Sequence, residues 1–269
     1  IFAVYEALCA NQPPMASQVG RYRDWLVRQR QLLAGPRGAS LRAHWEGVLE
    51  DAPAAPALPG TLYAEPRHRG AEIEFHLTPQ QTNGLRELAT RLEASVFVVM
   101  LALFKTVLHR ASGEDDFLVG TPTAGRSGAQ SADLIGFTLN TVPLRANFSA
   151  NPAFAAVVRD CARQMRGALR HQQYPLARMG GEGALLRHMT TFVPVGPRNV
   201  LGRYLMREYL ATQRGAANDM NLRWQDEGER LRGQWRYDAD RFEAQGVQRL
   251  VATLRAAVDA VLDNADARV

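Results

Sequence analysis

Phe117-Leu118-Val119-Gly120-Thr121-Pro122-Thr123-Ala124-Gly125-Arg126, followed after a short gap by Ile135-Gly136-Phe137-Thr138-Leu139-Asn140-Thr141-Val142-Pro143-Leu144-Arg145, is the pair of stretches on which the fold turns. Phe117 to Thr121 is a short apolar run that reads as a buried strand. Leu139 to Arg145 reads as another, and its Pro143 has no N–H to give to a ladder, which puts it at a sheet edge or a bulge. Gly120, Pro122 and Gly125 suit a loop, and Arg126 after it could hold a carboxylate. Working upstream, Ser95 can cap a nearly all-apolar helix that ends at Gly113. A helix apolar on every side belongs in the middle of a core. Before it, Thr78-Pro79-Gln80-Gln81 supplies an N-cap, a proline at the first helical position and a capping-box Gln, which starts a helix running to about Glu93. Glu72 to Leu77 alternates strictly, with Ile73, Phe75 and Leu77 on one face, and is a half-buried strand.

Downstream, Asn151-Pro152 opens a long amphipathic helix to about Gln172. Met220 to Trp224 and Leu231 to Tyr237 flank Asp226-Glu227-Gly228-Glu229 as a hairpin. The last helix, about Gly246 to Asn264, buries Val247, Leu250, Val251, Leu254, Val258 and Val261 at helical spacing. At the other end, Ile1 to Ala10 reads as helix with no capping residue and no initiator Met before it, so the chain looks cut into. Val19 to Leu33 is a second helix ended by Gly35-Pro36, with Asp24 and Trp25 read as packing it against a neighbour. A third, short helix spans about Leu41 to Leu49. Residues 51 to 60 hold three prolines, which forbid a helix and give an extended linker between two compact regions. The class is α/β.

Composition narrows the function. Of 269 residues, 46% are hydrophobic and 22% charged, the balance of a folded globular chain. The longest apolar run, Val96 to Phe104, is too short to cross a bilayer. Lys105 is the sole lysine among 32 basic residues, and these are spread along the chain with 27 acids, not gathered into a stripe as a nucleic-acid binder requires. Cys9 and Cys161 lack metal-ligand spacing, as do His44, His68, His76, His109 and His188, and Ser127 lacks a nucleophile-elbow context. Disulfide framework, zinc site, metalloenzyme and hydrolase are all set aside, and a reducing cytosol is expected.

Tyr22-Arg23-Asp24-Trp25 with Gln29-Arg30, then His44-Trp45-Glu46, resemble the middle of nonribosomal peptide synthetase condensation domains. The stronger likeness is in Gly120 to Arg126, similar to that family's Gly-Thr-Pro-x-x-Gly-Arg, in Ile135 to Arg145, similar to Ile-Gly-Phe-x-x-Asn-Thr-x-x-x-Arg, and in His171-Gln172-Gln173-Tyr174-Pro175-Leu176, similar to His-Gln-x-Tyr-Pro-Phe. Leu231-Arg232-Gly233 and Tyr237 to Phe242 resemble the end of the same domain, while residues 180 to 215 match poorly. The family's catalytic signature, two histidines followed three residues later by Asp-Gly, is absent from the sequence. The resemblance therefore implies a chloramphenicol acetyltransferase-like two-lobe fold of which this is the C-terminal part. Residues 1–69 would be the tail of the N-terminal lobe and the interlobe linker, and 70–269 the C-terminal lobe, a mixed sheet flanked by helices.

The same resemblance implies amide-bond formation between two thioesters, each on the phosphopantetheine arm of a donor or acceptor peptidyl carrier protein, in a tunnel between the lobes. No cofactor is expected on the chain itself, no catalytic residue and no metal; its partners are the carriers and the missing lobe, with neither nucleic acid nor membrane, in the cytoplasm. Gly136, Phe137, Thr138, Asn140 and Thr141 are candidates for the tunnel wall, against the plainer reading of Asn140 as a strand-end amide satisfied by backbone. Gly120, Thr121, Pro122, Gly125 and Arg126 are candidates for a lobe-crossing segment, Arg126 being as readily an ordinary loop arginine. His171 is read as a helix cap, not a replacement base. The Arg21, Arg23, Arg28, Arg30 cluster reads first as a solvated helix face, with carrier docking second. The alternatives are a noncatalytic relative that recruits partners and a free-standing acyltransferase using coenzyme A. An epimerization relative is disfavoured by Phe-Thr-Leu-Asn-Thr, and a heterocyclization relative by Gly-Thr-Pro-Thr-Ala-Gly-Arg.

Overall fold

The computed structural model describes residues 2–13, 20–53, 55–59, 68–126, 131, 134–179, 186–194, 200–201, 204–205 and 214–269. Ser127 and most of the poorly matching stretch 180 to 215 lie outside them. Helices α1 (Phe2–Cys9), α2 (Tyr22–Ala34) and α3 (Pro36–Leu49) come first; Val19, the expected start of α2, is outside the described residues. Then follow β1 (Gly70–His76), α4 (Pro79–Arg91), α5 (Val96–Ser112), β2 (Asp116–Thr123), β3 (Asn140–Asn147), α6 (Phe154–His171), β4 (His188–Val193), the short β5 (Val200–Leu201) and β6 (Tyr204–Leu205), β7 (Met220–Asp226), β8 (Leu231–Asp238) and α7 (Ala244–Asp263).

Six strands form one mixed sheet in the order β1-β8-β7-β4-β2-β3. β3 is the edge, where the missing N–H of Pro143 leaves no ladder bond unmade. β7 and β8 are the expected hairpin, turned by Gly228 at φ +90. The helix starts follow their capping chemistry. Thr78 and Gln81 exchange side-chain and backbone bonds of 3.1 and 3.0 Å, and Ser95 Oγ accepts from Val98 N at 3.3 Å. Gly113, at φ +74, stops α5 in the left-handed region, where a side chain is costly. α5 packs against α4, α6 and α7 and is buried from Val98 to Leu108, which fits its nearly all-apolar sequence. The sole lysine sits in it: Lys105 Nζ donates to the Arg145 carbonyl at 2.9 Å and to Gln164 Oε1 at 3.2 Å, tying α5 to β3 and α6. Cys9 and Cys161 are both free thiols. No single described helix is long and apolar enough to cross a membrane.

Three expectations are corrected. α2 buries no residue: Asp24 is exposed and Trp25 half-buried, stacked on Tyr22 at 5.6 Å, so this pair does not pack into the core. The strand expected over Phe117 to Thr121 runs on through Pro122 and Thr123, which are strand and not loop, in register with β3 from Gly120↔Pro143 to Thr123↔Asn140. Gly120 is small because β4 approaches there, a Cβ falling 2.2 Å from Met189 Sδ, and Pro122, which has no N–H to give, lies beyond the bridge to β4. The linker, non-helical as its prolines require, is docked and not a free spacer. Leu58 joins the core, and Arg145 donates to the Glu50 carbonyl at 2.8 Å and to that of Asp51, the first linker residue, at 3.2 Å while gripping Asp116 at 2.6 and 2.8 Å.

His188, on β4, holds the same linker. Its Nε2 lies 3.0 Å from the Pro56 carbonyl, which can only accept, so Nε2 carries the proton, and Nδ1 is buried with no partner among the described residues. Burial pushes the imidazole down to about 4 from 6.5, the Pro56 bond offsetting this only in part. As pH falls the unfolded chain therefore takes up this proton first. The stability present above about pH 6.5 is lost progressively toward pH 4, amounting to about 3 kcal/mol across the window. Denaturant titrations at intervals from pH 7 to 4 should show this slope in the parent chain and a flatter one in His188→Gln; equal slopes would contradict the assignment.

Candidate functional site

The ladder between β2 and β3 ends at Thr123 and Asn140, and the chain segments leaving it are tied there to the end of α6. Thr123 Oγ1 donates to the Asn140 carbonyl at 3.1 Å, and Thr138 Oγ1 to the Ala124 carbonyl at 2.8 Å. The Gly125 N–H donates to Gln172 Oε1 at 3.2 Å. Asn140 then crosses to the third segment: Nδ2 donates to the carbonyls of Gln172 at 2.8 Å and Tyr174 at 2.7 Å, and Oδ1 accepts from Leu176 N at 3.1 Å. Three motifs far apart in sequence are thus one hydrogen-bonded knot at the edge of the sheet.

The knot explains why particular residue types stand where they do. Gly125 has φ +61, and a Cβ there would lie 1.7 Å from the Thr138 carbonyl oxygen, so only glycine lets the two loops touch. The whole Asn140 amide is turned to backbone; both its protons are spent on carbonyls, which makes it a brace for the 172–176 turn. Arg126 Nη1 donates to the carbonyls of Ser131 and Leu134 at 2.7 and 2.6 Å, holding its own loop closed. Thr121 is buried and Thr141 half-buried, opposite Val142 and Pro122 respectively. Gly136 and Phe137 lie on the outer side, where Ile135, Phe137 and Leu139 are 78%, 73% and 55% exposed.

His171 ends α6 as a cap. Nδ1 donates to the Gly167 carbonyl one turn back at 2.7 Å, and Trp45 Nε1 donates at 3.0 Å to the His171 carbonyl, one of those a helix end leaves without a partner. The His44 ring stacks on it at 3.7 Å, and burial, then the neighbouring His171, lowers the His44 pKa from its ordinary value. Two clefts flank Trp45. One of about 910 Å³ is bounded by Arg42, Glu46, Leu49, Tyr174 and Met179; the other, about 570 Å³, lies between α3 and α6 over Pro143 and Leu144. No cluster of three metal-ligating side chains occurs among the described residues. Chemically, then, the knot is a scaffold of fixed backbone dipoles and short polar side chains, suited to placing a substrate and not to moving protons.

Of the knot's members, Thr123 and the Gly125–Gln172 bond were not anticipated, and neither was Tyr22, whose hydroxyl donates to the Phe137 carbonyl at 2.7 Å. Tyr22 and Gln172 both stood in the quoted motifs; only their partners were hidden.

A mixed six-strand sheet with α5 packed among the helices and a polar knot at the edge strand defines an α/β fold of the condensation-domain type. Comparison with solved structures gives the same result. The first condensation domain of the calcium-dependent antibiotic synthetase superposes with TM-score 0.80 at 24% identity over 99% of this chain and 60% of that one. The condensation domain of the monacolin K polyketide synthase gives 0.83 at 20%, over 99% and 66%. The X-domain from teicoplanin biosynthesis gives 0.82 at 19%, over 99% and 65%. The chain belongs to the condensation-domain family, whose model matches residues 1–269. Phosphinothricin tripeptide synthetase PhsB of Streptomyces viridochromogenes is 32% identical over 94% of the chain, and malpinin synthetase of Mortierella alpina 30% over 64%. The chain spans only 22% and 2% of the lengths of those two synthetases.

Proposed function

We propose that residues 1–69 are the tail of an N-terminal lobe with its linker, that 70–269 are the C-terminal lobe, and that the complete domain forms an amide bond in nonribosomal peptide synthesis, in the cytoplasm. A donor acyl or peptidyl thioester and an acceptor aminoacyl thioester, each on the phosphopantetheine arm of a carrier protein, meet between the lobes. The acceptor's neutral amine attacks the thioester carbonyl; the C–N bond forms, the C–S bond breaks, and the donor arm leaves as its thiol with the amine's proton. The observation that carries this reading is the knot: the three motifs that resemble the family's converge on one edge through Asn140 and Gly125. Holding two reactants in line replaces a bimolecular encounter, and this kind of site needs rigidity more than acid–base groups. The proton chemistry falls to histidines that are absent from this sequence.

Carrier proteins with acidic surfaces would meet exposed arginines. Arg28 and Arg30 lie on α2, and Arg166 and Arg170 on α6, none with a carboxylate partner in the described residues. Such rim charges set encounter rate more than affinity.

The test is Asn140→Ala in a complete domain with loaded carriers. Losing the brace leaves the 172–176 backbone groups unpaired, costing about 1–3 kcal/mol of stability, and turnover should fall beyond what melting accounts for. Unchanged turnover with unchanged melting would remove Asn140 from the site.

A further inference from the structure

Ile135, Phe137 and Leu139 point outward from the segment that leads into Asn140, an arrangement that water alone would not hold. Thr138 pins the segment from within, through Ala124. From without it is held by a residue remote in sequence. Tyr22, the first residue of α2, lays its ring where a Gly136 side chain would be, a Cβ there falling 2.3 Å from the Tyr22 Cδ2 atom, and donates its hydroxyl to the next carbonyl, Phe137, at 2.7 Å. The ring is itself backed by Trp25, stacked at 5.6 Å with planes 10° apart. α2 reaches the core only at its far end, through the partly buried Leu32 and Leu33; at its first turn, Tyr22 is where α2 meets the knot.

We infer that Tyr22 is a positioning residue for the segment 135–139: its ring and hydroxyl together fix where Phe137 and Leu139 stand beside Asn140, and so the shape that a thioester meets there. The inference rests on the proposed condensation activity. Tyr22 touches no reacting atom; it acts through the Phe137 carbonyl and the bare face of Gly136. Gly136 and Tyr22 are accordingly one device, in which the glycine exists to seat the ring.

The experiment has two arms. In the chain of residues 1–269, hydrogen exchange is followed over 135–139 in the parent, Tyr22→Phe, Tyr22→Ala, Gly136→Ala and the Tyr22→Ala/Gly136→Ala double variant. Tyr22→Phe keeps the ring seated and removes one hydrogen bond, so exchange should rise roughly five-fold there and not in α5, which also reports that the fold is intact. Gly136→Ala should raise exchange in the parent but add little to Tyr22→Ala, because the ring it collides with is gone. Additive effects would overturn the pairing. In the complete domain with loaded carriers, Tyr22→Phe should lower kcat several-fold with KM for the acceptor carrier unchanged, since the seated phenyl ring keeps α2, with its Arg28 and Arg30, in place. If Asn140→Ala lowers turnover while Tyr22→Phe leaves kcat alone, the positioning role is wrong and the condensation reading stands. If the parent domain forms no product, the condensation reading fails, and the positioning role with it, whatever the exchange data say.

Discussion

Gly125→Ala should destabilise the chain by about 3 kcal/mol or more, lowering the melting temperature by roughly 10 °C, and should open the knot before anything else. Two costs add. At φ +61 a residue with a Cβ is strained, by about 1–2 kcal/mol. The new Cβ would also sit 1.7 Å from the Thr138 carbonyl oxygen, and because that atom is backbone no rotamer relieves it. The segments must separate, breaking Gly125 N–H to Gln172 and Thr138 Oγ1 to Ala124. By contrast, Gly47→Ala, at an exposed position of α3 with nothing within 4 Å of the added Cβ, should be neutral or slightly stabilising. Thermal melts of the two variants beside the parent check this; a Gly125→Ala melt within about 2 °C of the parent would mean that the close approach is not real.

How far the sequence can be read depends on whether a feature is local. The α4 and α5 starts were legible because Thr78, Gln81, Ser95 and Gly113 act within a few residues of themselves, and the structure returns their bonds as expected. The edge position of β3 followed from one proline. β4 was missed. It is a central strand, but it buries His188 and Thr190 where an apolar residue is expected, and what makes them tolerable is remote: Pro56 for His188, and the Leu222 carbonyl, 3.0 Å from Thr190 Oγ1. α2 misled in the opposite direction: Asp24 and Trp25 were read as packing residues, yet Asp24 is exposed and Tyr22, Trp25 and Leu26 are only half-buried, against α3 and the 135–139 segment. Prolines correctly excluded helix from the linker, but they carry no sign of the arginine and histidine that dock it. For the candidate site, the motifs were visible only through resemblance. That Asn140 spends its amide on the 172–176 backbone is a matter of register between two distant segments, which spacing does not encode.

The largest effect expected of all is in catalysis, and it bears on the central claim that this chain supplies the positioning part of an amide-forming site. The knot offers placement without a general base, and the His-His-x-x-x-Asp-Gly signature is absent from residues 1–269. Orientation and proton transfer contribute separately, the second typically 10²–10⁴-fold, and neither acts if the reactants are not enclosed. Residues 1–269 alone should therefore give no condensed product. The same residues preceded by an N-terminal lobe that carries the signature should give it on every productive encounter of the two carriers. The decisive measurement is intact-protein mass spectrometry of a donor carrier bearing an acyl thioester and an acceptor carrier bearing an aminoacyl thioester, after incubation with each protein. The predicted result is transfer of the donor acyl mass to the acceptor carrier, and a free donor thiol, with the complete domain only. Transfer by residues 1–269 alone, or none by a folded complete domain, would contradict it.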